Sequence, residues 1–214
     1  MEQTVQNQST FKLNYKRTFL IGFAFFGILL LWQVYDLWCP TFLSEMFAKA
    51  FYPEYETLRQ INTPEAIAQC GDIIKKVQYP VGIMMAIDNI AALILMPIFG
   101  HLSDKTNTKI GKRMPYILVG TFVCSIAFPF IPVLFHFNQL AGVIVMMAVV
   151  VLFAMMYRNP AVALMPDITP KPLRSKANGI INIMGYIGGA FATVVGLVFV
   201  LSEYLGTAVA KETN

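Results

Sequence analysis

Long apolar runs, each closed by a short polar stretch, dominate the chain. Five of them reach bilayer-spanning length, about 20 residues of helix at about 1.5 Å per residue. They cover about 19–42, 81–102, 115–135, 140–164 and 177–201. Apolar residues fill these blocks continuously instead of recurring at the spacing of a soluble core helix, which points to lipid as the surrounding medium. The pattern predicts an all-α polytopic bundle of five transmembrane helices. Only residues 136–139 separate the third run from the fourth, so these two are expected as a tight antiparallel pair.

The polar stretches carry the orientation signal. Lys12, Lys16 and Arg17 precede the first run, Lys105, Lys109, Lys112 and Arg113 follow the second, and Lys171, Arg174 and Lys176 follow the fourth. With alternating spans all three clusters share one side, while the 136–139 turn opposite them has no lysine or arginine. By the positive-inside rule the N-terminus is cytoplasmic. The chain then divides into a cytoplasmic tail (1–17), a helix bundle (18–203) and an external tail (204–214). Cytoplasmic loops fall at 103–114 and 165–176, and an external loop at 43–80. Within the external loop, Thr63-Pro64-Glu65 reads as a helix start, threonine as N-cap and proline in the first helical position.

Five spans leave the C-terminus outside, whereas carrier halves are commonly six helices made of two inverted three-helix repeats. The expectation is a piece of a longer protein that needs a C-terminal half or a partner subunit. Its partner-facing surface would run along the first, second, fourth and fifth spans. The alternative is a natural five-span half-carrier subunit that does not transport.

Composition agrees with a membrane chain: 57% of the 214 residues are hydrophobic and 13% charged, about half the charged share of a soluble domain. The net charge of +4 comes without a lysine-rich stretch interleaved with aromatics, which argues against nucleic acid as a partner. Cys39, Cys70 and Cys124 lack metal-ligand spacing, and an odd count argues against a disulfide framework, so no metal or other cofactor is expected. His101 and His136 fall at opposite faces with no nucleophile–base pair beside them, which argues against an enzyme. The first run is too long for a signal-peptide core and lacks a small-residue cleavage site. It reads as a retained span of a multi-pass protein in the cell membrane.

The loop after the second span reads Gly100-His101-Leu102-Ser103-Asp104-Lys105, with Gly111-Lys112-Arg113 before Pro115. The fourth span closes on Tyr157-Arg158-Asn159-Pro160 and continues through Ala163-Leu164-Met165-Pro166-Asp167 to Arg174. With Trp32-Gln33-Val34-Tyr35-Asp36, these segments resemble the major facilitator superfamily, whose signature loop is Gly-x-x-x-Asp-Arg/Lys followed by glycine and a basic pair. The extra residues 106–110 and the run into Met114-Pro115-Tyr116 resemble the glycoside–pentoside–hexuronide cation symporters and the sucrose–proton symporter branch. The resemblance implies a sugar or glycoside carrier working by alternating access and coupled to H+ or Na+, with this chain as its N-terminal portion. It also suggests a conformational latch at the second span's end. There Asp104 would pair with Lys112, Arg113 or Arg174 in one state and release it in the other, while Gly100 permits close helix approach. The plainer reading gives the basic residues to topology and lipid headgroups.

Asp36, Asp88 and Arg158 fall inside the spans, where a charge costs about 2.5–3.5 kcal/mol at mid-bilayer and therefore faces a cavity or a partner. Counted from the expected span ends, the two carboxylates lie about 9–10 Å from the outer face and Arg158 about 9 Å from the cytoplasmic one. Two carboxylates at one level make a candidate cation or proton site. In melibiose-type carriers, acids on the first, second and fourth helices hold the coupling cation. Asp36 and Asp88 match the first two, and Arg158 replaces the acid of the fourth, which favours a proton over sodium. The fourth-helix arginine of sucrose carriers aligns near Val162, offset from Arg158. Trp32, Gln33 and Tyr35 add the aromatic faces and amide with which proteins hold sugars, and Asn89 adds a second amide beside Asp88. Each residue has a structural alternative: Asp36 bonding to Trp38, Asp88 and Asn89 forming a polar knot between helices, Arg158 snorkelling to headgroups, Trp32 facing lipid. Gly185-x-x-x-Gly189, with Gly188 inside it, signals helix packing and no chemistry.

Overall fold

The computed structural model describes residues 13–61 and 63–198. They form α1 (Tyr15–Phe51), α2 (Glu54–Ile61), α3 (Pro64–Lys105), α4 (Met114–His136), α5 (Leu140–Ile168) and α6 (Arg174–Val198), with a 3-10 turn at Lys171–Leu173. Among the described residues there is no strand, and every helix except α2 is long and apolar enough to cross a membrane. The protein is a multi-pass, all-α bundle. Lys12 and the tail at 204–214 lie outside the described residues.

Local chemistry sets the helix starts. Asn14 caps α1, its side chain accepting from the Arg17 amide at 3.2 Å. Thr63 caps α3 by accepting from the Ala66 amide at 3.3 Å, with Pro64 in the first helical position as the sequence suggested. The helix opened there does not stop at a membrane surface. α3 runs through Pro80 and Pro97 for 42 residues and α1 through Pro40 for 37, about 63 and 55 Å at about 1.5 Å per residue. A hydrocarbon core is about 30 Å thick, so both helices overshoot it.

The stretch expected as an external loop at 43–80 is therefore mostly helix, made of the end of α1, all of α2 and the start of α3. It has an interior that hydropathy does not reveal. Leu43, Met46, Tyr55, Ile73 and Val77 are buried, and the Phe42 ring meets Phe135 of α4 at 4.6 Å. At the centre lies Glu45, 3% exposed, with the Arg59 guanidinium at 2.5 Å and the Lys49 ammonium at 3.4 Å. Burial is tolerable for this acid because bases from α1 and α2 pair with it. Lys49 also donates to Asn138 in the α4–α5 turn at 3.0 Å, tying the extension to the bundle. Burial, helped by the Glu45 charge, pushes the Tyr55 hydroxyl up to about 12, so it stays neutral beside the acid.

At the opposite end, α3 continues to Lys105 and α5 to Ile168, so the expected loops at 103–114 and 165–176 shorten to 106–113 and 169–173. α4 and α5 form the expected tight pair. Leu134 packs on Gly142 near the turn, and a Cβ at Gly120 would lie 2.9 Å from the Phe153 carbonyl farther along, which fixes the antiparallel sense. The turn passes through Asn138 at φ 53°, a left-handed conformation that asparagine adopts more readily than most residues. α6 packs on α1 where Gly188 faces the Phe26 carbonyl and a Cβ at Gly185 would meet Leu29 at 2.6 Å. The small-residue stripe on α6 thus does the packing work its sequence indicated. α5 is the most enclosed span, set against α3, α4 and α1. All three cysteines are buried and free.

The Glu45 cluster yields a stability prediction. Glu45→Ala removes the buried acid between Arg59 and Lys49 and should cost about 3–5 kcal/mol. Asp72→Asn breaks only the well-exposed pair with Lys75 and should leave the unfolding midpoint in detergent unchanged within error.

Candidate functional site

α1, α3 and α5 bring the intramembrane ionisable residues into one neighbourhood. Tyr35 of α1 is 1% exposed and its hydroxyl donates to the Asp88 carboxylate of α3 at 2.5 Å. Such a charge-assisted bond is short and about twice as strong as a neutral one. Trp32, one turn earlier on α1, stacks with Tyr35 at 5.7 Å between ring centroids. The Arg158 guanidinium of α5 lies over the Trp32 ring, 5.2 Å from its centroid. A cation on an indole face contributes about 0.5–1 kcal/mol when exposed and about 2 or more when desolvated. Asp36 follows Trp32 by one turn on the same side of α1, is exposed, and interacts electrostatically with Arg158.

The Tyr35 side chain, next to Asp36 on α1, reaches Asp88 on α3. Arg158 lies about 15 Å along α5 from its end at Ile168, because the helix continues through Pro166. Pro40 adds a feature not visible from charge alone. It lacks the N–H that would close on the Asp36 carbonyl, so that oxygen has no backbone donor one turn on. Together these groups offer two carboxylates, a carbonyl, a phenol, a guanidinium and an indole face, a set suited to sugar hydroxyls or a small cation.

Two residues grouped with this site by sequence lie apart from it. Gln33 faces α6, its amide oxygen 3.9 Å from the Cβ position of Gly189. Asn89 is exposed and donates to the Met85 carbonyl of its own helix at 2.8 Å. Gln33 thus lies where α1 meets α6, and the Asn89 amide bonds within its own helix.

The signature loop closes the other end of the bundle. Arg113, the N-cap of α4, reaches Asp104 at the end of α3 at 3.0 Å and Asp167 near the end of α5 at 2.6 Å. One guanidinium fork therefore ties three helix ends. Asp167 belongs to the quoted segment, yet nothing in its spacing marked it as the second acid. Arg174 donates to the Thr169 carbonyl at 3.2 Å within the α5–α6 turn, and exposed Lys112 makes no ion pair among the described residues. Gly100 has a defined role: the Asn159 amide of α5 occupies the space a Cβ would fill and donates to the Met96 carbonyl of α3 at 2.7 Å. This interhelical bond was also unmarked in the sequence, where Asn159 reads as a neighbour of Pro160.

A double-mutant cycle tests the clasp. Asn159→Ala should cost about 0.6–1.7 kcal/mol of stability, the range for hydrogen bonds between membrane helices. Gly100→Ala should destabilise the wild type by displacing Asn159, yet cost little more in the Asn159→Ala background. Additive losses in unfolding midpoints would contradict the shared contact.

Residues 76–212, more than half the chain, match the MFS/sugar transport protein family. Sucrose transport protein SUC3 of Arabidopsis thaliana is 30% identical in an alignment 127 residues long that covers 47% of this chain and 21% of that protein. The match thus spans about a fifth of the length of that relative. No solved structure matches. With a signature loop that ties three helix ends and a family match across α3 to α6, the chain belongs to the MFS/sugar transport protein family.

Proposed function

We propose that this chain forms part of a secondary active carrier that moves a sugar or glycoside by alternating access, coupled to a proton or sodium ion. The observation that carries the reading is the convergence of Asp36, Asp88 and Arg158 from three helices in a chain of a sugar-transport family. Asp36 is exposed, and Asp88 and Arg158 are half-buried, so in this bundle the charges are open on one side. Facing lipid there would cost several kcal/mol in total, whereas facing a polar cavity removes most of that cost. A second half packed against this side provides such a cavity at the midplane, where carriers of this kind hold substrate.

The roles divide by chemistry. Asp36 and Arg158 accept from and donate to sugar hydroxyls, and Asp88 is the coupling acid. Protonating Asp88 replaces the charge-assisted Tyr35 bond by a neutral one and loosens α1 from α3. A coupling cation thereby acts on helix packing as well as on charge. The Arg113 bridge to Asp104 and Asp167 holds the opposite end closed in one state and releases it in the other. The lysines and arginines of the loops support a cytoplasmic position for that end and for the N-terminus, in the cell membrane.

Uptake of radiolabelled sucrose and phenyl glucosides into cells expressing the full reading frame tests this directly. Uptake should fall at least tenfold with a protonophore for proton coupling, or on removal of Na+ for sodium coupling, and to a similar degree with Asp88→Asn or Asp36→Asn at unchanged membrane levels. Unimpaired uptake in both variants would remove the carboxylates from the mechanism, and no uptake of any sugar would remove the substrate class.

A further inference from the structure

We propose that Trp32 is the platform for the apolar ring side of the sugar, and that Arg158 covers this platform in the empty carrier and leaves it when the sugar enters. The inference rests on the sugar-carrier reading and adds the means by which substrate is sensed. Tyr35, fully buried and held by Asp88, stacks with Trp32 and fixes the plane of the indole. Trp32 remains half-buried, so part of it faces the open side of the bundle, and the Arg158 guanidinium lies over the ring. A pyranose and a guanidinium both bind an indole through its π face, so the two exclude one another there.

Arg158 has a second partner within reach. Asp36 stands one turn beyond Trp32 on the same side of α1 and interacts with Arg158 electrostatically. A guanidinium carries five N–H donors and bonds carboxylate or hydroxyl oxygens readily. When a sugar ring takes the indole face, Arg158 loses the ring and gains the Asp36 carboxylate and the sugar hydroxyls. Exchange of this kind costs little net charge exposure, since the arginine is partnered before and after. It also sets specificity. A cyclic sugar has an apolar C–H face that competes for the indole, whereas an acyclic polyol of equal hydroxyl count has none. The carrier should therefore reject linear polyols by the platform, whatever hydrogen bonds they offer.

The shift also reaches the coupling acid. Trp32 stacks with Tyr35, and Tyr35 holds Asp88, so displacing Arg158 alters the ring pair that orients the Asp88 bond. Trp32 and Tyr35 are in this sense positioning residues between the substrate and the coupling carboxylate.

Fluorine NMR on the purified full-length carrier labelled with 5-fluorotryptophan tests the exchange. The Trp32 resonance is assigned by its loss in Trp32→Phe, and Trp38, which stacks with Phe42 away from Arg158, serves as an internal reference. Sucrose or phenyl glucoside should shift the Trp32 resonance and leave that of Trp38 in place, while mannitol shifts neither. Arg158→Gln should move the sugar-free Trp32 resonance without any sugar, and Arg158→Lys, which keeps the charge and guards against misfolding, should move it less. A carrier that takes up sucrose with its Trp32 resonance unmoved would overturn the platform and leave the transport reading intact. A sugar-free resonance indifferent to Arg158→Gln would overturn the covering role. Failure to take up either sugar would overturn both this inference and the function on which it rests.

Discussion

A charge placed in hydrocarbon costs several kcal/mol unless it has a partner or water, and the bundle is organised around three such charges. Asp36, Asp88 and Arg158 arrive on three different helices, and each is met by a group from another helix or from the next turn. Tyr35 is completely buried because it must reach Asp88, and that in turn fixes the rotation of α1. α1 then presents Trp32 to Arg158, while the adjoining face with Phe26, Leu29 and Gln33 packs on α6.

The packing around this centre relies on small residues. In lipid there is no hydrophobic drive between helices, so close backbone approach and interhelical hydrogen bonds supply the cohesion. Gly188 against the Phe26 carbonyl joins α6 to α1, Gly120 against the Phe153 carbonyl joins α4 to α5, and the Asn159 amide lodged at Gly100 joins α5 to α3. Each contact is local, and together they leave Asp36 exposed and Asp88 and Arg158 half-buried. At one end Arg113 gathers three helix ends, and at the other Glu45 gathers two helices and, through Lys49, the α4–α5 turn. The two ion clusters differ in kind. Glu45 is buried and acts as structure, whereas Asp104 and Asp167 are more than half exposed and can part from Arg113 without stranding a buried acid.

Much of this was legible in the sequence because lipid imposes a coarse rule. Spans of about 20 apolar residues must be helices, and charges inside them must mean something. Hence the five spans, the α4–α5 pair, the Thr63 cap and the intramembrane trio could all be read from residues alone. The stretch at 43–80 could not, since its charges suggest water while Glu45 in fact pairs inward with Arg59 fourteen residues on. Hydropathy sees the charge and not the partner. The same blindness hid Asp167 as the second acid on Arg113 and Asn159 as the reason for Gly100. Gln33 and Asn89 show the converse, because proximity in sequence grouped them with residues whose contacts they do not share.

The central claim is that the open side of α1, α3 and α5 faces a water-filled cavity and not lipid. Accessibility to a charged methanethiosulfonate reagent tests it most directly, in the reconstituted full-length carrier with Cys39, Cys70 and Cys124 replaced. Phe122 of α4 provides the comparison, since it is exposed on the bundle but has only apolar and small hydroxyl neighbours. Asp36→Cys and Arg158→Cys should be modified rapidly, and more slowly with sugar present, and Phe122→Cys not at all. Equal inertness at all three positions would place the charged side in lipid and contradict it.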